Sequence, residues 1–137
     1  MLVYGTLVEA RLHPATYVAF YVAAGYASTA AQLGEYLGGG AGFGTLGASG
    51  AALGLVALFS TTTALDRTEG VPSPVESLFA VSGVVVATLV LANDFLAGVA
   101  LASGTAPFGH VGGMLTGLLF GLVLVRARGQ QRSGMAP

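Results

Sequence analysis

The 137-residue sequence contains no cysteine and no lysine, and charged residues make up only 8% of it. The absence of cysteine excludes disulfides, thiolate nucleophiles and cysteine metal sites. The net charge of −1, without any block of like charge, predicts no nucleic-acid partner. The chemistry of any functional site must therefore come from oxygen and nitrogen groups.

Apolar sequence, in contrast, is abundant. Hydrophobic residues make up 54% of the chain, and the mean hydropathy of +0.79 lies outside the range of soluble domains. Four apolar stretches approach the ~20 residues that a helix needs to cross a bilayer: 14–33, 46–65, 75–93 and 108–125. Residues 1–8 are too short to span and lack a signal-peptide pattern, so we interpret them as the tail of a helix whose beginning is absent. We predict an all-α polytopic membrane helical bundle, a single domain over residues 1–137 with four complete transmembrane helices plus the end of a fifth.

The five arginines predict the orientation of this bundle. They fall before the first span, between the second and third spans, and after the fourth: Arg11, Arg67, Arg126, Arg128 and Arg132. Four successive spans put these three places on one side, and cytoplasmic loops are enriched in Lys and Arg. We therefore expect a multi-pass integral protein of the cell membrane with a cytoplasmic C-terminus.

Ser49 and His110 lie about one turn into the second and fourth spans, which run in the same direction. Both side chains are therefore expected near the outer face, at similar depth. Glycines accompany both residues at helical spacing: Gly47, Gly50 and Gly54 in the second span, Gly113 and Gly117 in the fourth. Small residues let membrane helices approach closely. We expect the two glycine faces to meet and to bring Ser49 within hydrogen-bond range of His110.

A serine becomes a good nucleophile when a neighbouring base, usually histidine, removes its proton. We therefore predict Ser49 as the nucleophile and His110 as the general base and acid of peptide hydrolysis, with the backbone N–H groups of Ala48 and Ser49 as oxyanion donors. The alternatives are a helix-packing motif for Ser49 and a structural role for His110. Asp94 lies on the same side but is interpreted as a solvated residue at a helix end. Because His13 lies on the side opposite to His110, we expect no metal site.

These motifs resemble those of the rhomboid family of intramembrane serine proteases. The family signature is GxSG on the fourth helix of a six-helix core and a histidine followed by spaced glycines on the sixth; this chain has GASGA at 47–51 and GHVGGMLTG at 109–117. The segment YGTLVE at 4–9 resembles the end of the family's second helix. By this resemblance the four spans are helices 3 to 6. Helix 1 and the first part of helix 2 are missing, together with the histidine and asparagine that complete the family's oxyanion hole.

The resemblance implies a Ser49/His110 dyad, with no third acidic member and no cofactor, that cleaves transmembrane segments of membrane proteins near the outer face. It also implies that residues 75–107 form a gate whose movement admits a substrate helix from the lipid bilayer. Many relatives have an aromatic residue four positions after the serine, where this chain has Leu53, so the orientation of His110 is expected to rest on glycine-face packing. Two alternatives stay open: a catalytically inactive rhomboid-like protein that binds membrane proteins, and a small channel or transporter subunit. The sequence predicts no oligomeric state.

Overall fold

The described part of the chain is helical. A computed structural model describes residues 2–39, 47–66, 70–101 and 107–134, and these residues form no strand. The helices, in chain order, are α1 (Leu2–Glu9), α2 (Pro14–Leu37), α3 (Gly47–Leu65), α4 (Pro74–Leu101) and α5 (Pro107–Ser133). The predicted all-α class is confirmed.

Two of the helices begin at a proline that follows a capping side chain. At α2, the Nδ1 of His13 accepts a hydrogen bond from the backbone N–H of Ala15 at 3.3 Å, and Pro14 is the first helical residue. At α4, the Ser73 hydroxyl accepts from the backbone N–H of Glu76 at 3.2 Å, while the Glu76 carboxylate accepts from the backbone N–H of Ser73 at 2.9 Å. This reciprocal capping box gives partners to N–H groups that have no acceptor within the helix.

Three of the described helices contain segments long and apolar enough to cross a membrane: Gly47–Leu65, Pro74–Leu96 and Pro107–Ser133. Helix α2 has 24 residues, or about 36 Å of length, but polar residues in its second half make it less apolar than these three. Its role as a further complete span stays a prediction. The helices also extend beyond the predicted ends of the spans at residues 33, 93 and 125. Backbone hydrogen bonding continues into polar sequence, whereas hydropathy marks only the part suited to lipid.

Helix α3 is the centre of the bundle. In its most apolar window 72% of the residues are buried inside the protein, against 11% for α4 and 22% for α5. Small residues in its first two turns let neighbouring helices approach. Further along, Leu55, Leu58 and Phe59 pack into a core with Val8 of α1 and Phe20 of α2. The helix that carries Ser49 is thus held by contacts with all four other helices.

Charged residues tie the helices together at the end of α3 opposite to Ser49. The Arg128 guanidinium of α5 donates to the Asp66 carboxylate at 2.7 Å and to the backbone carbonyl of Arg11 at 3.0 Å. The Arg11 side chain in turn pairs with Glu76 of α4. Asp66 follows the last residue of α3 and is seventeen positions from Ser49, about 26 Å along a helix. This network therefore fixes one end of the bundle, remote from Ser49.

Candidate active site

Ser49 and His110 contact each other at one end of the bundle. Ser49 is the third residue of α3, and His110 is the fourth residue of α5. The Ser49 Oγ lies 3.0 Å from the His110 Nε2, which is within the range of a hydrogen bond. Because both residues lie in the first turn of their helices, one crossing of α3 and α5 brings together side chains that are 61 positions apart in the sequence.

Glycines on both helices allow α3 and α5 to approach this closely where they cross. A Cβ atom added to Gly54 would lie 2.8 Å from the carbonyl oxygen of Gly113, and one added to Gly113 or Gly117 would overlap backbone atoms of α3. The two backbones therefore touch along successive turns. A larger residue at these positions would push apart the helices that carry Ser49 and His110.

The two glycines at the start of α3, Gly47 and Gly50, have different neighbours. A Cβ atom on Gly50 would lie 2.7 Å from the carbonyl oxygen of Gly109 in α5 and would overlap the Ser28 side chain of α2. Gly47 faces α2 instead, where its added Cβ would lie 2.7 Å from the carbonyl oxygen of Gly25. The start of α3 is thus enclosed by α2 as well as by α5, a contact that the glycine spacing alone does not reveal.

The interpretation of Asp94 as a solvated residue at a helix end is wrong. Helix α4 continues to Leu101, so Asp94 lies within the helix and is only 7% exposed. Its Oδ2 lies 2.5 Å from the Nδ1 of His110. A signal was present, because the sequence after Asp94 reads FLAGVAL, and apolar sequence on both sides indicates a residue inside a helix, where ionisable groups are rare and usually have a partner. An acidic side chain from a third helix therefore contacts His110, where the resemblance implied none.

When the Asp94 carboxylate is ionised, its contact with His110 selects one neutral tautomer of the ring. An ionised carboxylate only accepts hydrogen bonds, so the His110 Nδ1 donates to Asp94. In the neutral imidazole the Nε2 is then an acceptor, and the Ser49 hydroxyl donates to it. This tautomer is the one that can remove a proton from Ser49.

Gln32 of α2 fixes the start of α5 beside His110. Gln32 is 1% exposed, its side-chain oxygen accepts from the backbone N–H of Gly109 at 3.1 Å, and its amide nitrogen donates to Glu35. The Gly109 N–H belongs to the first turn of α5, where no acceptor exists within the helix. Sequence reasoning missed Gln32, because one glutamine among the Ser, Thr and Glu residues of α2 forms no distinctive pattern.

The predicted oxyanion donors lie in the first turn of α3. Ala48 and Ser49 follow Gly47, where the helix begins, and both residues are exposed. Backbone N–H groups in a first helical turn have no intrahelical acceptor, and the helix dipole is positive there. The position suits the stabilisation of an anion, and the role itself remains a prediction.

Two of the cavities beside α3 differ in their lining. One, of about 560 Å³, is lined by Ser49 and by residues of α1 and α2 that include Glu9 and Tyr17. The other, of about 300 Å³, lies among α3, α4 and α5, with a mostly apolar lining that includes Leu91 and Met114. Within the residues that the structure describes, no group of three or more His, Asp and Glu side chains could hold a metal ion.

Comparison with known proteins identifies a family. The family model described as Rhomboid domain matches residues 1–127, which is nearly the whole chain. Among curated proteins and among solved structures, nothing matches the chain significantly.

Proposed function

The chain belongs to the rhomboid family, whose members are in general intramembrane serine proteases, and from this premise we propose that it cleaves transmembrane segments of other membrane proteins. Ser49 is the nucleophile, and His110 is the general base and acid. The observation that carries this proposal is the 3.0 Å contact between the Ser49 Oγ and the His110 Nε2.

This contact favours catalysis over simple helix packing. A hydroxyl with a packing role usually bonds to a carbonyl one turn earlier in its own helix, as Thr116 does to Gly112 at 2.9 Å. The Ser49 hydroxyl instead contacts a base on another helix, at the distance expected of a nucleophile and its activating group. Ser49 also borders the larger cavity, so a peptide carbonyl can reach it.

Acylation follows from this geometry. The Ser49 Oγ attacks the carbonyl carbon of the scissile peptide as its proton passes to the His110 Nε2. The backbone N–H groups of Ala48 and Ser49 donate hydrogen bonds to the oxygen that becomes negative, with the positive end of the α3 dipole behind them. The C–N bond then breaks, the His110 proton passes to the leaving amine, and an ester joins Ser49 to the N-terminal fragment.

Deacylation reverses these roles. A water molecule attacks the ester carbonyl and gives its proton to the His110 Nε2. The second oxyanion uses the same N–H donors. When it collapses, His110 returns the proton to the Ser49 Oγ, and the fragment leaves with a new carboxylate. The chemistry consumes one water per cleaved bond, so the site must face an aqueous side of the membrane.

The placement of charge supports that side as the outer one. Arg11 and Arg128 lie at the end of the bundle remote from Ser49, and arginine marks the cytoplasmic side. Under this proposal, Ser49 and His110 face the outside of the cell membrane, the C-terminus is cytoplasmic, and substrate helices enter from the bilayer. The larger cavity and the apolar one are both sites at which part of a substrate helix can pack.

The proposal is tested by covalent labelling of the detergent-solubilised protein with a fluorophosphonate probe, which reacts with activated serines. Labelling should disappear in Ser49→Ala and fall by at least about 10²-fold in His110→Ala, because general-base catalysis contributes about 10²- to 10⁴-fold. Ser133→Ala is the matched control, because the hydroxyl of this exposed serine donates to backbone carbonyls of its own helix at the far end of α5. Its labelling should equal that of the unmodified protein.

Equal labelling of the Ser49, His110 and Ser133 variants would refute the assignment. A folded protein that takes up no probe would support the inactive, membrane-protein-binding alternative instead. Cleavage of a single-span membrane protein in liposomes, abolished by Ser49→Ala, is the corresponding test of substrate class.

A further inference from the structure

We propose that Asp94 is a positioning residue for His110 and that, because α4 carries it, the base is correctly oriented only while the outer part of α4 lies against α5. This inference rests on the proposed function, since it concerns the same site. It adds Asp94 as a third, acidic member to the pair of Ser49 and His110. The contact of Asp94 with His110 then depends on the position of α4.

The chemistry of the contact supports the positioning role. Asp94 accepts a hydrogen bond from the His110 Nδ1, which leaves the Nε2 as acceptor for Ser49. Without the carboxylate, the neutral imidazole can equally protonate Nε2, and that tautomer cannot take the Ser49 proton. When His110 does take the proton, the adjacent carboxylate stabilises the imidazolium, as in serine hydrolases that use a complete triad.

The inner half of α4 is tied to its neighbours. The Tyr4 hydroxyl of α1 donates to the backbone carbonyl of Phe79 at 3.0 Å, and the Ser60 hydroxyl of α3 donates to the backbone carbonyl of Ala80 at 3.0 Å. Glu76, one turn earlier, pairs with Arg11. These contacts hold the first two turns of α4 in place.

The outer half of α4 has a different set of contacts. Asp94 meets His110, and next to it the rings of Phe95 and Phe108 pack edge to face with centroids 6.0 Å apart. Between these contacts and the tied inner half lies the apolar cavity of about 300 Å³ that separates part of α4 from α5. Outward displacement of this half of α4 would therefore break the contact between Asp94 and His110.

The contact between Asp94 and His110 links the orientation of the base to the position of α4. If a substrate helix enters by displacing the outer part of α4, Asp94 leaves His110, and the base loses its orientation. Return of α4 over the bound substrate restores the contact. Hydrolysis is thus confined to the closed arrangement. In that arrangement α4 lies against α5, and Asp94 of α4 orients His110 of α5.

The test is ¹⁵N NMR of histidine side chains, which distinguishes the two neutral tautomers of an imidazole. The chain has two histidines, and His13→Asn keeps a capping side chain at α2 while leaving His110 as the single reporter. At a pH where the ring is neutral, we expect a protonated Nδ1 and an unprotonated Nε2. Asp94→Asn should populate the other tautomer and slow fluorophosphonate labelling by at least about tenfold, against a loss of about 10⁴-fold for the same change in a complete triad.

Two controls separate positioning from general stability. Asp66→Asn removes a buried carboxylate at the remote end of the bundle, so it should lower thermal stability without changing the His110 tautomer. Phe95→Ala should weaken the closed contact and lower the population of the Nδ1-protonated form, whereas Leu96→Ala should not, because Leu96 is the adjacent residue and 70% exposed.

The outcomes are distinct from those that decide the protease proposal. An Asp94→Asn protein with the original tautomer, or with a labelling rate within twofold of the unmodified protein, overturns the positioning role. Equal effects of Phe95→Ala and Leu96→Ala overturn its dependence on α4. If the unmodified protein takes up no probe but Asp94→Asn still shifts the tautomer, the protease proposal fails and the positioning role stands.

Discussion

Gly113→Ala should both destabilise the protein and separate Ser49 from His110. A methyl group at Gly113 overlaps the backbone of Gly50 in α3, and neither backbone can move without moving its helix. Overpacking of this kind costs about 1–3 kcal/mol, whereas replacing glycine by alanine within a helix contributes about 0.5–1 kcal/mol in the opposite direction. We expect a net loss of about 0.5–2 kcal/mol.

The effect on the site should exceed the effect on stability. The Ser49 Oγ and the His110 Nε2 are 3.0 Å apart, and a hydrogen bond is lost once this separation grows by roughly 0.5 Å. Because Gly113 lies one turn after His110 on the crossing itself, relief of the overlap moves His110 away from α3 by at least that distance. Labelling by the fluorophosphonate probe should therefore slow by at least about tenfold, the minimum expected when a base loses contact with its nucleophile.

Gly129→Ala is the matched control for Gly113→Ala. Gly129 lies in the same helix, and a Cβ atom there would meet no neighbouring atom within 4 Å in the part of the chain that the structure describes. This variant should be as stable as the unmodified protein or more stable by about 0.5–1 kcal/mol, with unchanged labelling. Circular dichroism during thermal unfolding in detergent measures the first quantity, and the labelling rate measures the second. If Gly113→Ala matches Gly129→Ala in both measurements, the backbone contact between α3 and α5 does not position the site.

Two further predictions concern the other end of the bundle. Asp66→Leu should lower the unfolding free energy by about 1–3 kcal/mol, which is less than for a fully buried pair because the Arg128 side chain is 25% exposed. The double variant with Arg128→Leu should lose less stability than the sum of the two single variants. Additive losses in thermal unfolding would contradict the pairing. Ser73→Ala should remove the capping box of α4 and cost about 1 kcal/mol, whereas Ser77→Ala, within the helix, should cost less; equal losses would show that the cap contributes nothing.

Local signals predicted several elements well because they act over only a few residues. The starts of α2 and α4 are examples, because each helix begins at a proline directly after a capping side chain. The helices extend beyond the predicted spans at residues 33, 93 and 125, because hydropathy marks the part suited to lipid and not the end of backbone hydrogen bonding. Helix α5, for example, continues through Arg126 and Arg128 to Ser133.

The environment of His110 could be predicted only in part. Ser49, His110 and the glycines form a recognisable pattern at helical spacing on two segments. Asp94 and Gln32 do not, because each is a single polar residue whose partner is 16 or 77 positions away. The glycine spacing predicts that helix packing orients His110, and the structure adds a carboxylate at its Nδ1 and a glutamine that holds the preceding residue.

Three properties follow from the amino-acid sequence alone: the chain is helical, it is apolar enough for a membrane, and it carries the serine and histidine motifs. These properties depend on composition and on spacing within one helix. The side chains that meet at His110, in contrast, follow from the packing of the helices. Contacts between helices depend on the rotation and crossing of each helix, and these are set by the packing of the whole bundle. Asp94 is the clearest case, because its contact with His110 exists only where α4 packs beside α5.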